Sequence, residues 1–173
     1  AFILSHGPGS ANEGGICLGL MVAGSPNGIP LWVDGRGHQA IGQAFGGKVI
    51  KSPNGWGLGL QRYRLGAARG WMDSPEPIAV PGSHQDQVVE APPGAQVIGG
   101  NDFCPIGMLD YGEDRAVSLQ LHPEFEPDYA KALIETRRGT RLTAEEADRA
   151  VMSYEQPDDR QRVGGWLQRF IET

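Results

Sequence analysis

The segment PLWVDGRGHQAIGQAFGG, residues 30–47, limits the fold of this chain more than any other. It begins with a short apolar run that is bounded by glycine, a pattern typical of a buried strand. After the turn around Gly35, apolar residues recur at helical spacing from Ala40 to Phe45, and the pair Gly46–Gly47 marks the end of the helix. The segment therefore predicts a strand, a sharp turn and a helix, which is a building unit of α/β sheets.

The rest of the chain extends this pattern. The run AFILS, residues 1–5, predicts a strand that enters the glycine-rich loop HGPGS, and a helix is expected within residues 12–23. Residues 48–108 contain many prolines and glycines between short β-like runs, and AVSLQL, residues 116–121, is a further predicted strand. Helical patterns follow from Asp128, and Thr143 with Glu146 forms the sequence signature of a capping box. We expect one α/β domain over residues 1–173.

Composition excludes several classes of function. A formal net charge of -6 and a pI near 5.2 argue against binding of nucleic acid, which requires clustered lysine and arginine. The apolar runs fall short of the roughly 20 residues that span a bilayer, so we expect no membrane association and a cytoplasmic location. The two cysteines, Cys17 and Cys104, are expected to be reduced thiols, and no spacing resembles a metal site. No cofactor is expected.

The chemistry of such sheets collects at the carboxyl ends of the strands, which here are the loops after Ser5, Val33 and Leu121. The last of these loops carries the strongest signal, LQLHPEF, in which a predicted strand ends at His122 and Glu124. A histidine with a neighbouring carboxylate can act as a general base, because the carboxylate orients the ring and stabilises the imidazolium that forms. By itself, a His-Pro-Glu corner is more often structural than catalytic.

Several segments together resemble one family. FILSHGPGS and GHQAIGQAFGGKV are similar to the small subunits of anthranilate and aminodeoxychorismate synthases. GWGLGLQRYRL, GSHQDQVVEAPPGAQVIGGNDFCP and LQLHPEFEPDYAKALIE resemble amidotransferase-like proteins related to the glutaminase part of GMP synthase. These segments cover most of residues 2–135, and the chain is identified as a member of the class I glutamine amidotransferases.

The resemblance implies a flavodoxin-like α/β fold with a mostly parallel sheet and flanking helices. It also implies hydrolysis of the glutamine side-chain amide through a cysteine thioester, with ammonia delivered to a synthase. The implied ligand is glutamine or a γ-glutamyl compound, and the implied partner is a synthase subunit or a second copy of the chain. Members of the family carry a segment before the strand that matches AFILS, so this chain is expected to lack the first strands of the sheet and to be a fragment or a rearranged domain.

The resemblance assigns roles only where positions match. His122 and Glu124 match the catalytic base and the carboxylate that orients it. Counting back from GHQ places the nucleophile at Gly35, which has no side chain to attack a substrate. The remaining matches are the oxyanion segment, formed by Gly7, Gly9 and the backbone N–H of Arg36, and the substrate-binding residues Gln39, Ser83, His84 and Gln85.

Three alternatives follow from the missing thiol. The first is a pseudo-glutaminase that serves as a binding or regulatory module. The second is an active amidotransferase whose nucleophile is Cys17 or whose own thiol was replaced by engineering. The third is a γ-glutamyl hydrolase that would also use Cys17. GICLG around Cys17 fits the family's GxCxG pattern, but a loop or helix start precedes it where an apolar strand is needed. Cys104 matches a structural turn. We further expect Val33 to resist the strained turn, and Asp34 with Arg36 to be surface turn residues or a new polar patch.

Overall fold

The computed structural model describes residues 2–4, 30–112 and 116–172. Within them, the strands are β1 (Phe2–Leu4), β2 (Leu31–Asp34), β3 (Lys48–Lys51), β4 (Gly57–Leu65), β5 (Ile78–His84), β6 (Asp86–Glu90), β7 (Gln96–Gly100), β8 (Met108–Asp110) and β9 (Ala116–Leu119). The helices are α1 (Arg36–Ala44), α2 (Pro127–Glu135), α3 (Ala144–Met152) and α4 (Arg160–Glu172), with a 3₁₀ turn at Ser153–Glu155. No helix in the described ranges is long and apolar enough to cross a membrane.

The described strands form a seven-stranded sheet with the order β1-β2-β9-β8-β7-β4-β5, and β3 pairs separately with β6. β1, β2 and β9 pair in parallel, as the flavodoxin-like fold requires. The sheet becomes antiparallel from β9 to β5, and the connections from β7 to β8 and from β8 to β9 are too short for the crossover helix that parallel neighbours need. The predicted α/β fold is confirmed, and its sheet is mixed.

The alternation of side chains along β2 explains how both faces of the sheet are covered. Trp32 packs on one face against Trp71 and against Phe170 of α4. Val33 points to the opposite face and packs with Ile41 of α1. Ile41 is fully buried, and burial of such a side chain contributes roughly 1.5–3 kcal/mol to stability. The sheet therefore lies between helices on both sides.

The helix ends follow the sequence signals closely. α1 ends at Ala44 with Phe45 as its C-cap, and Gly46 takes a φ of 92°, which glycine adopts readily. The capping box is present, since Thr143 accepts from the backbone N–H of Glu146 while Glu146 accepts from that of Thr143. This cap begins α3 directly after the loop at residues 136–143, which borders the cavity described below.

Candidate active site

The turn between β2 and α1 has the sharp geometry that the sequence predicts. Gly35 has φ 52° and ψ −119°, outside the conformations that other residues adopt without strain, and it serves as the N-cap of α1. Its N–H donates to the carbonyl of Leu119 at the end of β9, at 2.9 Å. The expectation that Val33 would have to take part in this turn, and would resist it, is wrong. Val33 lies in a regular parallel strand and is fully buried, and the turn conformation falls on Gly35, where the absence of a Cβ permits it.

His122 follows the carboxyl end of β9 and is held from three directions. Its backbone N–H donates to the carbonyl of Pro81, at 2.8 Å. Nδ1 lies 2.8 Å from Oε1 of Glu124, and the imidazole stacks on the ring of Phe125 with centroids 4.1 Å apart and planes 10° apart. The side chain is 6% exposed and that of Glu124 is 34% exposed. The structure therefore brings the predicted base and carboxylate together in the expected orientation.

The ring of His122 lies against the backbone of Gly35. A Cβ atom placed on Gly35 would lie 2.0 Å from Cε1 of His122 and 2.7 Å from Nε2. Real Cβ atoms do not approach other heavy atoms so closely, so a side chain at residue 35 requires the imidazole to move. The position assigned to the nucleophile is next to the predicted base, and the base occupies its volume.

A cavity of about 560 Å³ opens beside His122. It contains the four residues that the sequence assigned to substrate binding, namely Gln39, Ser83, His84 and Gln85. The remaining lining residues are Arg36, Lys51, Trp56, Asp86, Gln120, Arg137 and Arg141. A cavity of this size is in the range of small-molecule sites, and its convergent polar groups are what such sites use to orient a ligand.

Gln39 is fixed at the base of this cavity. Its side-chain amide donates to the carbonyl of Asp86 at 2.8 Å and to Oε1 of Gln120 at 3.2 Å. Gln120 in turn donates to the carbonyl of Gly35, at 3.4 Å. These bonds connect α1 with the residue that follows β9 and with the start of β6, so the cavity floor depends on segments far apart in the chain.

Two further histidines are buried near the site. His38 is fully buried between Ser118 Oγ, 2.7 Å from its Nδ1, and the carbonyl of Ile106, 2.9 Å from its Nε2. Burial lowers the pKa of His38 to about 4. Burial likewise lowers the pKa of His84 to about 4, and the nearby rings of His122 and His38 contribute in the same direction. Both rings are therefore neutral at pH 7.

The cationic part of the cavity was not predicted from the sequence. Lys51 comes from β3, and Arg137 and Arg141 come from the segment that joins α2 to α3. The guanidinium of Arg137 lies 4.9 Å from the ring centroid of Trp56 and donates to Ser83 Oγ at 2.7 Å. No local pattern signals this group, because its members approach one another only when the chain folds.

Asp34 is buried and is not the surface turn residue that was one of the two possibilities considered for it. It is the last residue of β2 and is only 4% exposed, while Arg36 is half-buried at the start of α1. One ligand atom each of Asp34, His122 and Glu124 lies within 4.8 Å of the others. In the described part of the chain these are the residues that could hold a metal ion, although Glu124 already engages Nδ1 of His122.

Of the two cysteines, only Cys104 lies in the part of the chain that the structure describes. Cys17, Gly7 and Gly9 lie outside the described residues. Cys104 is 1% exposed in the core cluster that contains Tyr63, and burial raises the pKa of its thiol to about 11. A buried thiol with such a pKa is a poor nucleophile at pH 7, which agrees with the structural role expected for Cys104.

Comparison with known proteins supports the resemblance. The profile of the family described as glutamine amidotransferase class-I matches residues 1–138. Anthranilate synthase component 2 of Azospirillum brasilense is 32% identical over 149 residues, covering 84% of this chain and 76% of that protein. Gamma-glutamyl peptidase 3 of Arabidopsis thaliana is 29% identical over 132 residues, covering 70% of this chain and 53% of that protein. The chain spans little more than half the length of the first curated relatives that it matches.

Solved structures agree on the fold. The crystal structure of a glutamine amidotransferase from Thermotoga maritima superposes with a TM-score of 0.76 at 20% identity, covering 99% of this chain and 78% of that one. Given the extent of the family match, this chain belongs to the class I glutamine amidotransferase family.

Proposed function

We propose that this chain is a glutaminase-type domain that binds glutamine or a γ-glutamyl compound without hydrolysing it. The family reaction requires a thiolate beside the imidazole, and the glycine at residue 35 supplies none. One observation carries the proposal: a Cβ at Gly35 would lie 2.0 Å from Cε1 of His122. The base thus fills the space in which a nucleophile would stand.

The binding role draws on the cavity beside His122. Gln39, Ser83, His84 and Gln85 line it together and would hold the α-amino and α-carboxylate groups of the ligand. Gly7, Gly9 and the N–H of Arg36 would bind the oxygen of the ligand's side-chain carbonyl. His122, oriented by Glu124, would serve as a hydrogen-bonding group rather than as a base.

The names of the relatives suggest which ligand and which partner such a domain would have. One of them is named as a component of anthranilate synthase and another as a γ-glutamyl peptidase. By analogy, the ligand here would be glutamine or a γ-glutamyl peptide, and the partner would be a synthase subunit or a second copy of the chain. A domain without a nucleophile would report ligand binding to that partner, as a regulatory module does.

A second candidate is an active amidotransferase or γ-glutamyl hydrolase that uses Cys17. The pairing of His122 with Glu124 at 2.8 Å favours it, because a catalytic thiol would need that pair intact. Cys17 would have to reach the imidazole on the side opposite Phe125. The two candidates differ in a single measurable property, the reactivity of one thiol.

The test is treatment of the full chain with a chloroketone analogue of glutamine, followed by mass spectrometry and by an ammonia assay with glutamine. We expect no adduct and no ammonia above the level of a His122→Ala variant. Stoichiometric labelling of Cys17, with ammonia release that is lost in His122→Ala, would replace the proposal with the second candidate.

Binding is tested separately by calorimetric titration of glutamine. We expect heat of binding with the native chain and a weaker affinity with Gln39→Ala, since Gln39 shapes the cavity floor. A variant outside the cavity, Arg64→Ala, serves as the control because Arg64 forms an exposed ion pair with Asp102. Failure of the native chain to bind glutamine or any γ-glutamyl compound would refute the binding role.

A further inference from the structure

The cavity has a charge opposite to that of the chain. The sequence carries 21 acidic and 15 basic residues, yet the lining contains four cations, including Arg36, and a single carboxylate, that of Asp86. We call Lys51, Arg137 and Arg141 the cation cluster. None of the three forms an ion pair with a carboxylate in the ranges that the structure describes. A local excess of positive charge in an acidic chain indicates an anionic ligand.

Arg137 is held in place within this cluster by two contacts. Its guanidinium lies over Trp56 and donates one hydrogen bond to Ser83, which leaves most of its five donors without a protein acceptor in the described part of the chain. Partial burial and the charge of Arg141 lower the pKa of Arg137. Two like charges held close together in a partly desolvated site are unfavourable unless an anion joins them.

The neighbouring Arg138 provides the contrast. Its guanidinium binds Glu135 at 2.6 and 2.8 Å and Asp148 at 2.8 Å, and these carboxylates raise its pKa. Two consecutive arginines thus have opposite electrostatic environments. Arg138 completes a surface ion-pair network, whereas Arg137 lines the cavity.

We propose that the cation cluster is an anion-binding subsite that takes a carboxylate beyond the γ-glutamyl group, so that the ligand is an acidic γ-glutamyl peptide rather than free glutamine. The inference rests on the proposed binding function and adds the ligand class. Guanidinium groups bind carboxylates with paired hydrogen bonds, and Trp56 keeps the guanidinium of Arg137 in a fixed plane. The cation cluster carries three positive charges, more than the single α-carboxylate of free glutamine neutralises, whereas an acidic γ-glutamyl peptide brings a second carboxylate.

The experiment compares two ligands that differ in one charge. γ-Glutamylglycine and γ-glutamylglycinamide are titrated into the full chain by calorimetry, with glutamine as a third ligand. We expect the acid to bind about tenfold more tightly than the amide, with a preference that decreases as salt is added. Arg137→Gln and Arg141→Gln should abolish that preference, while Arg138→Gln, with the same change of charge, should keep it.

The outcomes separate the subsite from the function on which it rests. If glutamine and both peptides bind with equal affinity, the subsite is refuted and the proposed function stands. If none of the three binds, both are refuted. Arg141 is exposed, so Arg141→Gln tests the subsite even if Arg137→Gln fails to fold. A preference for the acid that survives both substitutions would place the anion elsewhere and refute the proposal.

Discussion

The imidazole of His122 occupies the volume in which a side chain at residue 35 would begin. A Cβ on Gly35 would lie within 2.9 Å of three ring atoms, and the ring itself is fixed by Glu124 and by stacking on Phe125. Residue 35 thus has no thiol, and the imidazole of His122 occupies the space that a side chain at this residue would need. The site and its local packing now depend on each other.

The first prediction concerns stability. Gly35→Ala should destabilise the chain by about 2–5 kcal/mol, because alanine at φ 52° is strained and its methyl group collides with His122. Gly139→Ala is the control, since Gly139 has φ 72° with nothing within 4 Å of an added Cβ and so reports the strain alone. Urea unfolding measures both. Equal destabilisation by the two variants would mean that the ring of His122 moves aside without cost.

The second prediction concerns the missing thiol. Gly35→Cys alone should release little ammonia from glutamine, because the new side chain and the imidazole cannot occupy the same space. Adding Phe125→Ala removes the ring on which His122 stacks and should raise the rate above that of the single variant. Adding Val33→Gly instead should lower stability, since Val33 is fully buried. Rapid turnover by Gly35→Cys alone would contradict this account.

The third prediction concerns pH. The folded pKa values of His38 and His84, about 4, lie below the value of 6.5 for an exposed histidine, so the unfolded chain binds more protons between these limits. Stability should be greatest above pH 6.5 and fall as the pH decreases toward 4, by on the order of 2–3 kcal/mol for each histidine. Urea unfolding at several pH values measures this. His84→Gln should reduce the slope, and a stability independent of pH in this range would contradict the burial argument.

The fourth prediction concerns thiol reactivity. Cys104 should resist alkylation by iodoacetamide at pH 7, because burial raises its pKa to about 11 and leaves it 1% exposed. Unfolding in urea should make it react at the rate of a free thiol. Peptide mass spectrometry distinguishes it from Cys17 and provides the internal reference for the chloroketone test. Fast labelling of Cys104 in the folded chain would show that the core around Tyr63 opens readily.

The predicted elements with strong local patterns are correct in type. The strand and helix on either side of Gly35 and the capping box at Thr143 are all present, since each depends on residues within a few positions of one another. The antiparallel part of the sheet was harder to predict from the sequence, because strand order is set by pairings between distant segments. The roles assigned to the site residues remain predictions.

By itself, the sequence determined that a strand turns sharply into a helix at Gly35, and that His122 and Glu124 stand together after a strand, because both features are encoded within short segments. Only the tertiary structure decided that the ring of His122 lies against Gly35 and that Asp34 is buried. It also brought Lys51 together with Arg137 and Arg141 around one cavity, although the strands β4 to β9 separate them in the sequence. Such contacts depend on the packing of distant elements, which local patterns of hydrophobicity and turn residues do not specify.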